Sequence, residues 1–327
     1  MTKAEQLQAV GILVPRDFSD HAVERIGRTF KCIRIESADP ALVTDEMRRG
    51  VRGIASFAGI NAAMMDALPN LELIASFGVG YDSVDVRYAA AKNVMVTNTP
   101  DVLTEEVADT AIGLLINTVR DLPRAETWLR DGSWVRKGNY PLSRLTLRGR
   151  KAGIFGMGRI GQAIARRLEA FGLPVAYHNR RKVDGLSYQY HPTLKGLAEA
   201  VDTLISVAPG GASTEKAVNA EILSALGANG VFVNIGRGST VDEAALAAAL
   251  ANGTIAAAGL DVFADEPNVP KALLDAPNTS LLPHVGSASD HTRRAMADLC
   301  VDNLVSWFTE RRPLTPVPET VHVRARS

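Results

Sequence analysis

Short apolar runs alternate with segments of helical spacing over most of the chain. In the first hundred residues, each run is followed by a segment in which apolar positions recur at intervals of about 3.6 residues. This alternation is typical of an open parallel sheet whose strands are connected and covered by helices. The strands predicted in this first region are 11–14, 32–35, 53–57, 73–77 and 94–97.

A long helical pattern begins at Asp101 and separates this region from a second alternating one. Pro123 is expected to kink or break that helix. A second helical piece, 124–129, and a polar loop containing Trp134 and Tyr140 lead to the next strand. Further strands are predicted at 152–155, 174–177, 203–208, 231–235, 255–262 and 280–285, and a last helix at 289–309.

One stretch, KAGIFGMGRIGQAIARRLEAFGLPVAYHNRR, places the spacing GxGxxG between an apolar run and a helical segment. Gly156 allows a sharp turn, Gly158 lets a pyrophosphate approach the backbone, and Gly161 lets the helix pack closely on the strand. The N–H groups and dipole of the helix N-terminus attract phosphate, so Arg159 and Ile160, which open the helix, belong to the predicted site. A second strand completes a βαβ unit of the kind that binds a dinucleotide. The apolar residues predicted to lie on the buried face of the helix are Ile160, Ile164, Leu168 and Phe171.

The residues that end the second strand of this unit bear on the choice of cofactor. Enzymes that bind NAD with this fold usually place a carboxylate here, about 20 residues past the glycines, to hold the ribose 2′-hydroxyl. This chain has Asn179, Arg180 and Arg181, followed by Lys182, and no carboxylate before Asp184. An asparagine and two guanidinium groups suit a 2′-phosphate. NADP(H) is therefore the expected cofactor, with NAD(H) as the less preferred alternative.

The expected fold class is α/β, with two Rossmann-like, doubly wound parallel sheets in two domains. A chain of 327 residues exceeds the usual size of one hydrophobic core. The simplest arrangement inserts a dinucleotide-binding domain, 101–285, into a substrate (catalytic) domain made of 1–100 and 286–327. That arrangement would place a cleft between the domains, with hinges near Pro100 and Gly286.

Composition excludes several classes of partner. The chain carries 36 basic and 36 acidic side chains without a long block of like charge, so neither a nucleic acid nor a membrane partner is expected. Cys32 and Cys300 stand far apart without metal-ligand spacing, so neither a disulfide framework nor a metal site is expected. The N-terminal residues have no apolar signal core, and no run approaches the ~18 residues of a membrane span. A cytoplasmic protein is expected.

Three charged residues follow late strands, Arg237 in NIGRGS, Glu266 in DVFADEP and His284 in LLPHVGS. Reduction of a 2-keto acid requires a cation for the carboxylate, a proton donor for the carbonyl oxygen, and a group that keeps this donor protonated and oriented. Arginine offers a planar fork for a carboxylate. Histidine titrates near neutral pH, and a carboxylate on its other ring nitrogen favours the charged form. Each residue alone is compatible with a structural role, but together they indicate an active site.

The segments FGVGYD, TEEVADTAIGLL, GMGRIGQAIARRL, NIGRG, GLDVFADEP and LPHVGS occur in the order seen in a known family. The chain resembles the D-isomer-specific 2-hydroxyacid dehydrogenases over nearly its whole length. The resemblance implies that Arg237 binds the substrate carboxylate and polarises the carbonyl, that His284 is the acid/base, and that Glu266 is its partner. It also implies that Val79 and Gly80 donate backbone N–H groups to the carboxylate.

The resemblance extends to the cofactor and the oligomer. Asp261 is expected near the nicotinamide amide, and PGGAST stands where many relatives have a PLTPET-like stretch. A homodimer is expected, because the long apolar helix and the aromatic loop exceed what one nucleotide domain needs to cover its sheet. The predicted cofactor site further includes Thr104, Ala208, Pro209, Thr214, Ile235, Gly236, Arg237, His284 and Gly286.

The basic NRR turn and the lack of an extra regulatory domain resemble the NADPH-dependent glyoxylate/hydroxypyruvate reductases, including the hydroxyphenylpyruvate type. The expected activity is therefore NADPH-dependent reduction of small 2-keto acids to D-2-hydroxy acids. One alternative is an NAD(H)-dependent dehydrogenase for a phosphorylated or aromatic D-2-hydroxy acid. Another is a dinucleotide-sensing scaffold like the co-repressors of this fold, although the intact arginine, glutamate and histidine favour an enzyme.

Overall fold

A computed structural model describes residues 2–15 and 18–325, which form two compact units. The first unit combines the described residues up to Leu103 with those from Ser289 onward, and the second unit runs from Thr104 to Ala288. Each unit is an α/β layer structure built on one parallel sheet, as the alternating pattern predicts. No helix in the described ranges is long and apolar enough to cross a membrane.

The strands and helices are numbered along the chain. The strands are β1 (Gly11–Pro15), β2 (Lys31–Ile35), β3 (Val51–Ser56), β4 (Leu73–Ser76), β5 (Met95–Thr97), β6 (Ala152–Phe155), β7 (Val175–His178), β8 (Gln189–His191), β9 (Thr203–Ser206), β10 (Val231–Asn234), β11 (Ala257–Leu260) and β12 (Thr279–Leu281). The helices are α1 (Lys3–Gln8), α2 (Asp20–Thr29), α3 (Asp45–Gly50), α4 (Ala62–Asp66), α5 (Val86–Ala91), α6 (Thr104–Arg120), α7 (Leu122–Arg130), α8 (Ser133–Lys137), α9 (Arg159–Ala170), α10 (Leu194–Ala200), α11 (Ala220–Leu226), α12 (Glu243–Ala251), α13 (Lys271–Leu274) and α14 (Asp290–Glu310).

The first unit has a sheet of five parallel strands in the order β2-β1-β3-β4-β5. Its chain is interrupted by the second unit and returns in α14, where Trp307 is only 1% exposed. The segment after α14 continues onto the sheet, because Thr97 forms a bridge with Pro316 and Val317 N donates to Val96 O at 3.0 Å. The last part of the chain therefore completes this core.

The second unit has seven parallel strands in the order β12-β11-β10-β9-β6-β7-β8. Every residue of β6, β9, β10 and β11 is buried, as expected of a sheet covered by helices on both faces. The strand order changes direction at β6, because β7 and β8 follow on one side of it and β9 to β12 on the other. Open α/β sheets bind ligands at the carboxyl edge of such a point, here between β6 and β9.

Most predicted elements form, and the differences have local causes. The predicted break near Pro123 occurs, since α6 ends at Arg120 and Asp121 adopts a left-handed φ of 53°. Phe171 was predicted to be buried, which is wrong: α9 ends at Ala170, and the Phe171 side chain is 52% exposed. Strand β8 is not predicted from the sequence, because it lies at the edge of the sheet and contains no apolar run.

Two further elements depart from the predicted pattern. The predicted strand 280–285 stops at Leu281, because His284 has a left-handed φ of 53° that a strand cannot accommodate. The predicted polar loop with Trp134 contains the short helix α8. Trp128 braces that segment by donating Nε1–H to Gly138 O at 3.0 Å. The loop is therefore more ordered than its polarity indicates.

Candidate active site

The predicted site residues of the second unit gather at the carboxyl edge of its sheet. Because all seven strands are parallel, the residues that follow β6, β7, β9, β10, β11 and β12 emerge on the same side. Gly156 follows β6, Asn179 follows β7, Arg237 follows β10, Asp261 follows β11, and His284 follows β12.

The glycine turn after β6 requires glycine at two positions for contacts with the backbone. Gly156 has φ 108°, and a Cβ there would lie 2.8 Å from the nitrogen of Ala208. A Cβ on Gly161 would lie 2.3 Å from the carbonyl oxygen of Gly156, so α9 can approach β6 only without a side chain. Both positions therefore do what the spacing predicts.

Gly158 differs from the other two glycines because a Cβ there would meet nothing within 4 Å. It is the N-cap of α9, and its position provides no side-chain hydrogen bond to the helix N–H groups. Arg159 and Ile160 are the first helical residues after it. An uncapped helix start with open space above a glycine suits a pyrophosphate, which can approach the backbone and accept from these N–H groups.

Asn179 connects the glycine turn to the end of β7. Its Oδ1 accepts a hydrogen bond from the N–H of Met157 at 2.6 Å. Its backbone carbonyl accepts from the hydroxyl of Tyr190 at 3.2 Å. The sequence predicts a direct contact of Asn179 with the cofactor, and the structure adds that the side chain also fixes the turn, which leaves Nδ2 as its remaining donor.

The basic turn after Asn179 is exposed and is anchored at both of its ends. Val183 N donates to the hydroxyl of Tyr177 at 3.0 Å, which anchors the end of the turn. Arg180, Arg181 and Lys182 are exposed, and no ion pair joins them to a carboxylate within residues 2–15 and 18–325. Their charge is therefore available to an anionic ligand.

The loop after β9 contains the PGGAST stretch. Ala208 is 2% exposed and packs below Gly156, whereas Pro209 is exposed. The hydroxyl of Thr214 donates to Pro209 O at 2.6 Å and to Gly211 O at 3.1 Å. The Thr214 hydroxyl therefore links the end of the PGGAST stretch to its beginning.

Arg237 lies in a loop whose backbone is held by the side chain of Asn234. Asn234, fully buried at the end of β10, donates Nδ2–H to Arg237 O at 2.9 Å and accepts from Gly236 N at 3.1 Å. A Cβ on Gly238 would lie 1.8 Å from the carbonyl carbon of Phe263. The loops after β10 and β11 therefore touch through their backbones, and only glycine fits at that contact. Ile235 and Gly236 are buried in the same loop.

Glu266 and His284 are hydrogen-bonded to each other. Oε2 of Glu266 lies 2.7 Å from Nδ1 of His284, and its Oε1 accepts from the backbone N–H of Phe263 at 3.0 Å. The backbone of its own loop thus orients the carboxylate toward the imidazole. Both side chains are about two-fifths exposed, at 37% and 40%. This pair leaves Nε2 as the ring nitrogen of His284 that can act on a ligand.

Asp261 holds the turn that carries His284. Its Oδ1 accepts from Val285 N at 2.7 Å, and its Oδ2 accepts from Gly286 N at 2.9 Å. Its backbone carbonyl accepts from the N–H of His284 at 2.8 Å. Burial raises the pKa of Asp261, although its two backbone hydrogen bonds and His284 act in the opposite direction. The sequence assigns Asp261 to the nicotinamide amide, and the structure shows that both carboxylate oxygens also bind backbone N–H groups.

Two predicted residues of the second unit lie at the edges of this arrangement. Thr104 is the first residue of α6. Gly286 is buried, and its carbonyl oxygen accepts from the hydroxyl of Thr110 at 3.2 Å, so α6 also supports the turn after His284. Thr110 and Asn234 are support residues that the sequence analysis does not identify. The one signal that points to Asn234 is an asparagine near the end of a predicted strand, two residues before Gly236 of GRG.

Val79 and Gly80 belong to the first unit, in the loop that follows β4. Both are half-buried, and the loop begins at Gly78 with φ 152°. Within the described ranges, no group of three or more His, Cys, Asp or Glu side chains could hold a metal ion.

The residues of the second unit fit a bound dinucleotide. The glycine turn and the start of α9 suit the pyrophosphate, and the exposed basic turn suits a phosphate on the ribose. An imidazole hydrogen-bonded to a carboxylate, as in the Glu266–His284 pair, and a guanidinium, as in Arg237, have the chemistry that proton donation and binding of a small anion require.

Comparison with known proteins supports this assignment. Residues 112–286 match the family model described as D-isomer specific 2-hydroxyacid dehydrogenase, NAD binding domain. The chain is 40% identical to glyoxylate/hydroxypyruvate reductase A HPR2 of Arabidopsis thaliana, over 95% of this chain and 100% of that protein. It is 41% identical to hydroxyphenylpyruvate reductase of Plectranthus scutellarioides, again over 95% and 100%.

A solved structure is also similar over nearly the whole chain. The NADPH-dependent glyoxylate/hydroxypyruvate reductase of Sinorhizobium meliloti, crystallised with NADP and malonate, matches with a TM-score of 0.96 and 63% identity. The match covers 98% of this chain and 99% of that one. From its glycine turn to its histidine–glutamate pair, this chain belongs to the D-isomer specific 2-hydroxyacid dehydrogenases.

Proposed function

We propose that this protein is an NADPH-dependent reductase of short 2-keto acids, which converts glyoxylate into the achiral glycolate and hydroxypyruvate into the D-isomer of its 2-hydroxy acid. The observation that carries the proposal is the 2.7 Å contact between Glu266 and His284 at the carboxyl edge of a dinucleotide-binding sheet. The similarity to reductases of these two substrates from A. thaliana and S. meliloti supports the choice of substrate.

His284 is the general acid in this proposal. Its Nδ1 is bonded to Glu266, so the proton for the carbonyl oxygen comes from Nε2. The hydrogen bond between Glu266 and Nδ1 fixes the plane of the ring. Asp261 holds the backbone on both sides of the histidine and so maintains its left-handed conformation. NADPH, when bound, would supply the hydride for the carbonyl carbon.

Arg237 binds the carboxylate of the keto acid and polarises its carbonyl. A planar guanidinium can form two parallel hydrogen bonds with a carboxylate, which selects both charge and orientation. The buried Asn234 and the backbone contact at Gly238 limit the movement of the loop that carries Arg237. In the first unit, the N–H groups of Val79 and Gly80 donate to the same carboxylate, as the family resemblance implies.

The cofactor is held by the second unit, residues 104–288, which serves as the dinucleotide-binding domain in this proposal. The turn from Gly156 to Gly161 would hold the pyrophosphate, and Asn179, Arg180 and Arg181 would bind the 2′-phosphate. No carboxylate stands at the end of β7 to favour an unphosphorylated ribose. NAD(H) is therefore the less preferred cofactor.

We also propose that the enzyme is a cytoplasmic homodimer. The segment from α7 to the loop before β6 exposes large apolar side chains, of which Val135 is 94% exposed and Leu142 is 96% exposed. Exposed apolar side chains grouped on one segment are typical of a protein interface. Sedimentation at micromolar concentration should therefore give twice the mass of the chain, and a stable monomer would contradict the proposal.

The cytoplasmic assignment is supported by Cys32 and Cys300, which are both free.

The direct test is NADPH oxidation against a panel of glyoxylate, hydroxypyruvate, pyruvate, phenylpyruvate and 4-hydroxyphenylpyruvate. We expect the highest kcat/KM for the first two acids, and a preference of at least about tenfold for NADPH over NADH. A higher kcat/KM for the aromatic acids would assign the enzyme to another substrate class. Equal use of the two cofactors would reject the proposed role of the basic turn.

A further inference from the structure

The loop that follows β4 is tied to the end of β5 by two hydrogen bonds, and both use carbonyl groups of the loop. The backbone N–H of Thr99 donates to the carbonyl oxygen of Gly78 at 2.8 Å. The side-chain Nδ2 of Asn98 donates to the carbonyl oxygen of Val79 at 2.8 Å. Two successive carbonyl groups are therefore fixed by two adjacent residues at the end of one strand.

Fixing these carbonyl groups also fixes the N–H groups that follow them. A trans peptide is planar, so its C=O and N–H bonds point in opposite directions. The N–H groups of Val79 and Gly80, the Val79–Gly80 amide pair, must therefore both face away from Asn98 and Thr99. Within residues 2–15 and 18–325, neither N–H has a hydrogen-bond acceptor. Two successive N–H groups that face one side form an arrangement that binds anions.

Asn98 is itself held in place from the C-terminal part of the first unit. Thr315 donates its hydroxyl to Asn98 O at 2.6 Å, and its backbone carbonyl accepts from Asn98 N at 3.2 Å. Asn303, fully buried in α14, donates Nδ2–H to the Thr315 hydroxyl at 2.8 Å and accepts from Thr315 N at 3.0 Å. The orientation of the amide pair is thus set by a chain of hydrogen bonds that begins in the core.

We propose that Asn98 is a positioning residue for the substrate carboxylate, which it orients by holding the carbonyl oxygen of Val79. The inference rests on the proposed function, because it takes the anion at the Val79–Gly80 amide pair to be the carboxylate of the 2-keto acid. Asn98 acts through the peptide group between Val79 and Gly80 and does not touch the substrate. The chemical requirement at position 98 is a neutral hydrogen-bond donor.

Two substitutions distinguish the hydrogen-bond donor of Asn98 from the shape and the neutral charge of its side chain. Asn98→Ala removes the donor, so the peptide can rotate away from the carboxylate. Asn98→Asp keeps the shape, loses the donor, and places a negative charge behind the carbonyl oxygen of Val79. Because the carboxylate is bound both before and during hydride transfer, the loss should appear in KM with a much smaller change in kcat.

The test measures KM and kcat for glyoxylate, the affinity for NADPH, and the affinity of the NADPH complex for oxamate, a keto-acid analogue that is not reduced. We expect Asn98→Ala to raise KM and weaken oxamate binding about tenfold, the value of one ordinary hydrogen bond. Asn98→Asp should have the larger effect, and NADPH affinity should stay unchanged in both variants. Asn70→Ala is the matched control, because Asn70 also donates Nδ2–H to a backbone carbonyl of the first unit, Arg49 O at 3.0 Å.

Unchanged KM and unchanged oxamate affinity in folded Asn98→Ala would overturn the inference. An equal effect of Asn70→Ala would also overturn it, because general loosening of the unit would then explain the result. If the unmodified protein binds oxamate but does not reduce glyoxylate, the proposed function fails, and the oxamate affinities of the variants still decide the role of Asn98. If Asn98→Ala does not fold, the isosteric Asn98→Asp decides by the same measurements.

Discussion

The two ends of the carboxyl edge of the seven-stranded sheet are built differently. At the end formed by β10, β11 and β12, each charged group is held by its neighbours, as in the Glu266–His284 pair and the double hydrogen bond of Asp261. At the end formed by β6 and β7, the glycine turn is rigid, but Arg180 and Arg181 are exposed. We call these the reaction end and the phosphate end.

Under the proposed function, this difference matches the task of each end. Proton transfer requires donor and acceptor within hydrogen-bond distance and correctly aligned, and the side chains of the reaction end are held in place by their neighbours. Recognition of a phosphate relies on charge and on flexible donors that can close around it. Substitutions at the reaction end should therefore change turnover, and substitutions at the phosphate end should change affinity.

The largest effect is expected from His284→Ala. Removal of the proton donor should lower kcat by about 10² to 10⁴ and leave NADPH binding nearly unchanged. Stopped-flow turnover and fluorescence titration of NADPH measure the two quantities separately. His322→Ala, a change at an exposed histidine near the C-terminus, is the control and should have neither effect. Near-normal turnover in His284→Ala would contradict the assignment of His284 as the proton donor.

The phosphate end is tested by replacing Arg180 and Arg181 together with alanine. Loss of one or two charge-assisted hydrogen bonds should raise KM for NADPH about tenfold to several hundredfold, while KM for NADH and both kcat values change little. Added salt should mimic the change weakly, because the side chains are exposed. Arg148→Ala removes another exposed arginine and should not alter cofactor choice. A parallel loss with NADH would show that the basic turn does not read the 2′-phosphate.

A smaller effect, within the reaction end, is expected from Glu266→Gln. Glutamine keeps the size of the side chain but not its charge, so the hydrogen bond to Nδ1 of His284 loses its charge assistance. The kcat for glyoxylate reduction should fall by about tenfold, while NADPH affinity stays unchanged. Glu243→Gln is the matched control, because Glu243 accepts from the backbone N–H of Ala264, at 2.8 Å, and not from His284. An unchanged kcat in Glu266→Gln would show that the carboxylate does not assist proton transfer.

The smallest effect concerns stability and arises from Asp261. Burial raises the pKa of this carboxyl group, so the folded protein binds its proton more tightly than the unfolded chain does. The resulting stabilisation is present below the ordinary aspartate value of about 3.9 and is lost as the pH rises through the raised folded-state pKa. Asp261→Asn lacks this titration.

Urea unfolding of both proteins at several pH values measures the effect of Asp261. The unmodified protein should gain free energy of unfolding relative to Asp261→Asn as the pH falls from about 7 toward about 4. The variant should also lose turnover, because the amide nitrogen that replaces one carboxylate oxygen cannot accept from the backbone N–H that this oxygen binds, Val285 N or Gly286 N. A stability difference that does not change with pH would contradict the assigned shift.

Local patterns in the sequence are sufficient to predict much of this molecule. The glycine turn is marked by three glycines whose spacing has a direct steric cause, and alternation of apolar runs and helical segments predicts two parallel sheets. His284, Glu266 and Arg237 stand out because each follows a predicted strand. The family assignment is confirmed by the match of residues 112–286.

The support residues could not be predicted in the same way. Asn98 and Asn234 act on backbone carbonyl groups that come near them only when strands and loops have packed. The second role of Asp261 likewise depends on a left-handed turn that brings two N–H groups to one carboxylate. Strand β8 pairs at a sheet edge through its backbone, and its polar side chains carry no periodic signal.

The interrupted chain of the first unit has a consequence for biosynthesis. Domains generally fold as units while the chain leaves the ribosome. The residues up to Leu103 emerge first, but their core lacks Trp307, Val317 and the strand bridge at Pro316 until the last segment is translated. The second unit is continuous from Thr104 to Ala288 and is complete before that point. The first unit, whose synthesis begins before that of the second, therefore completes its core after it, and Thr315, which holds Asn98, is added only at that stage.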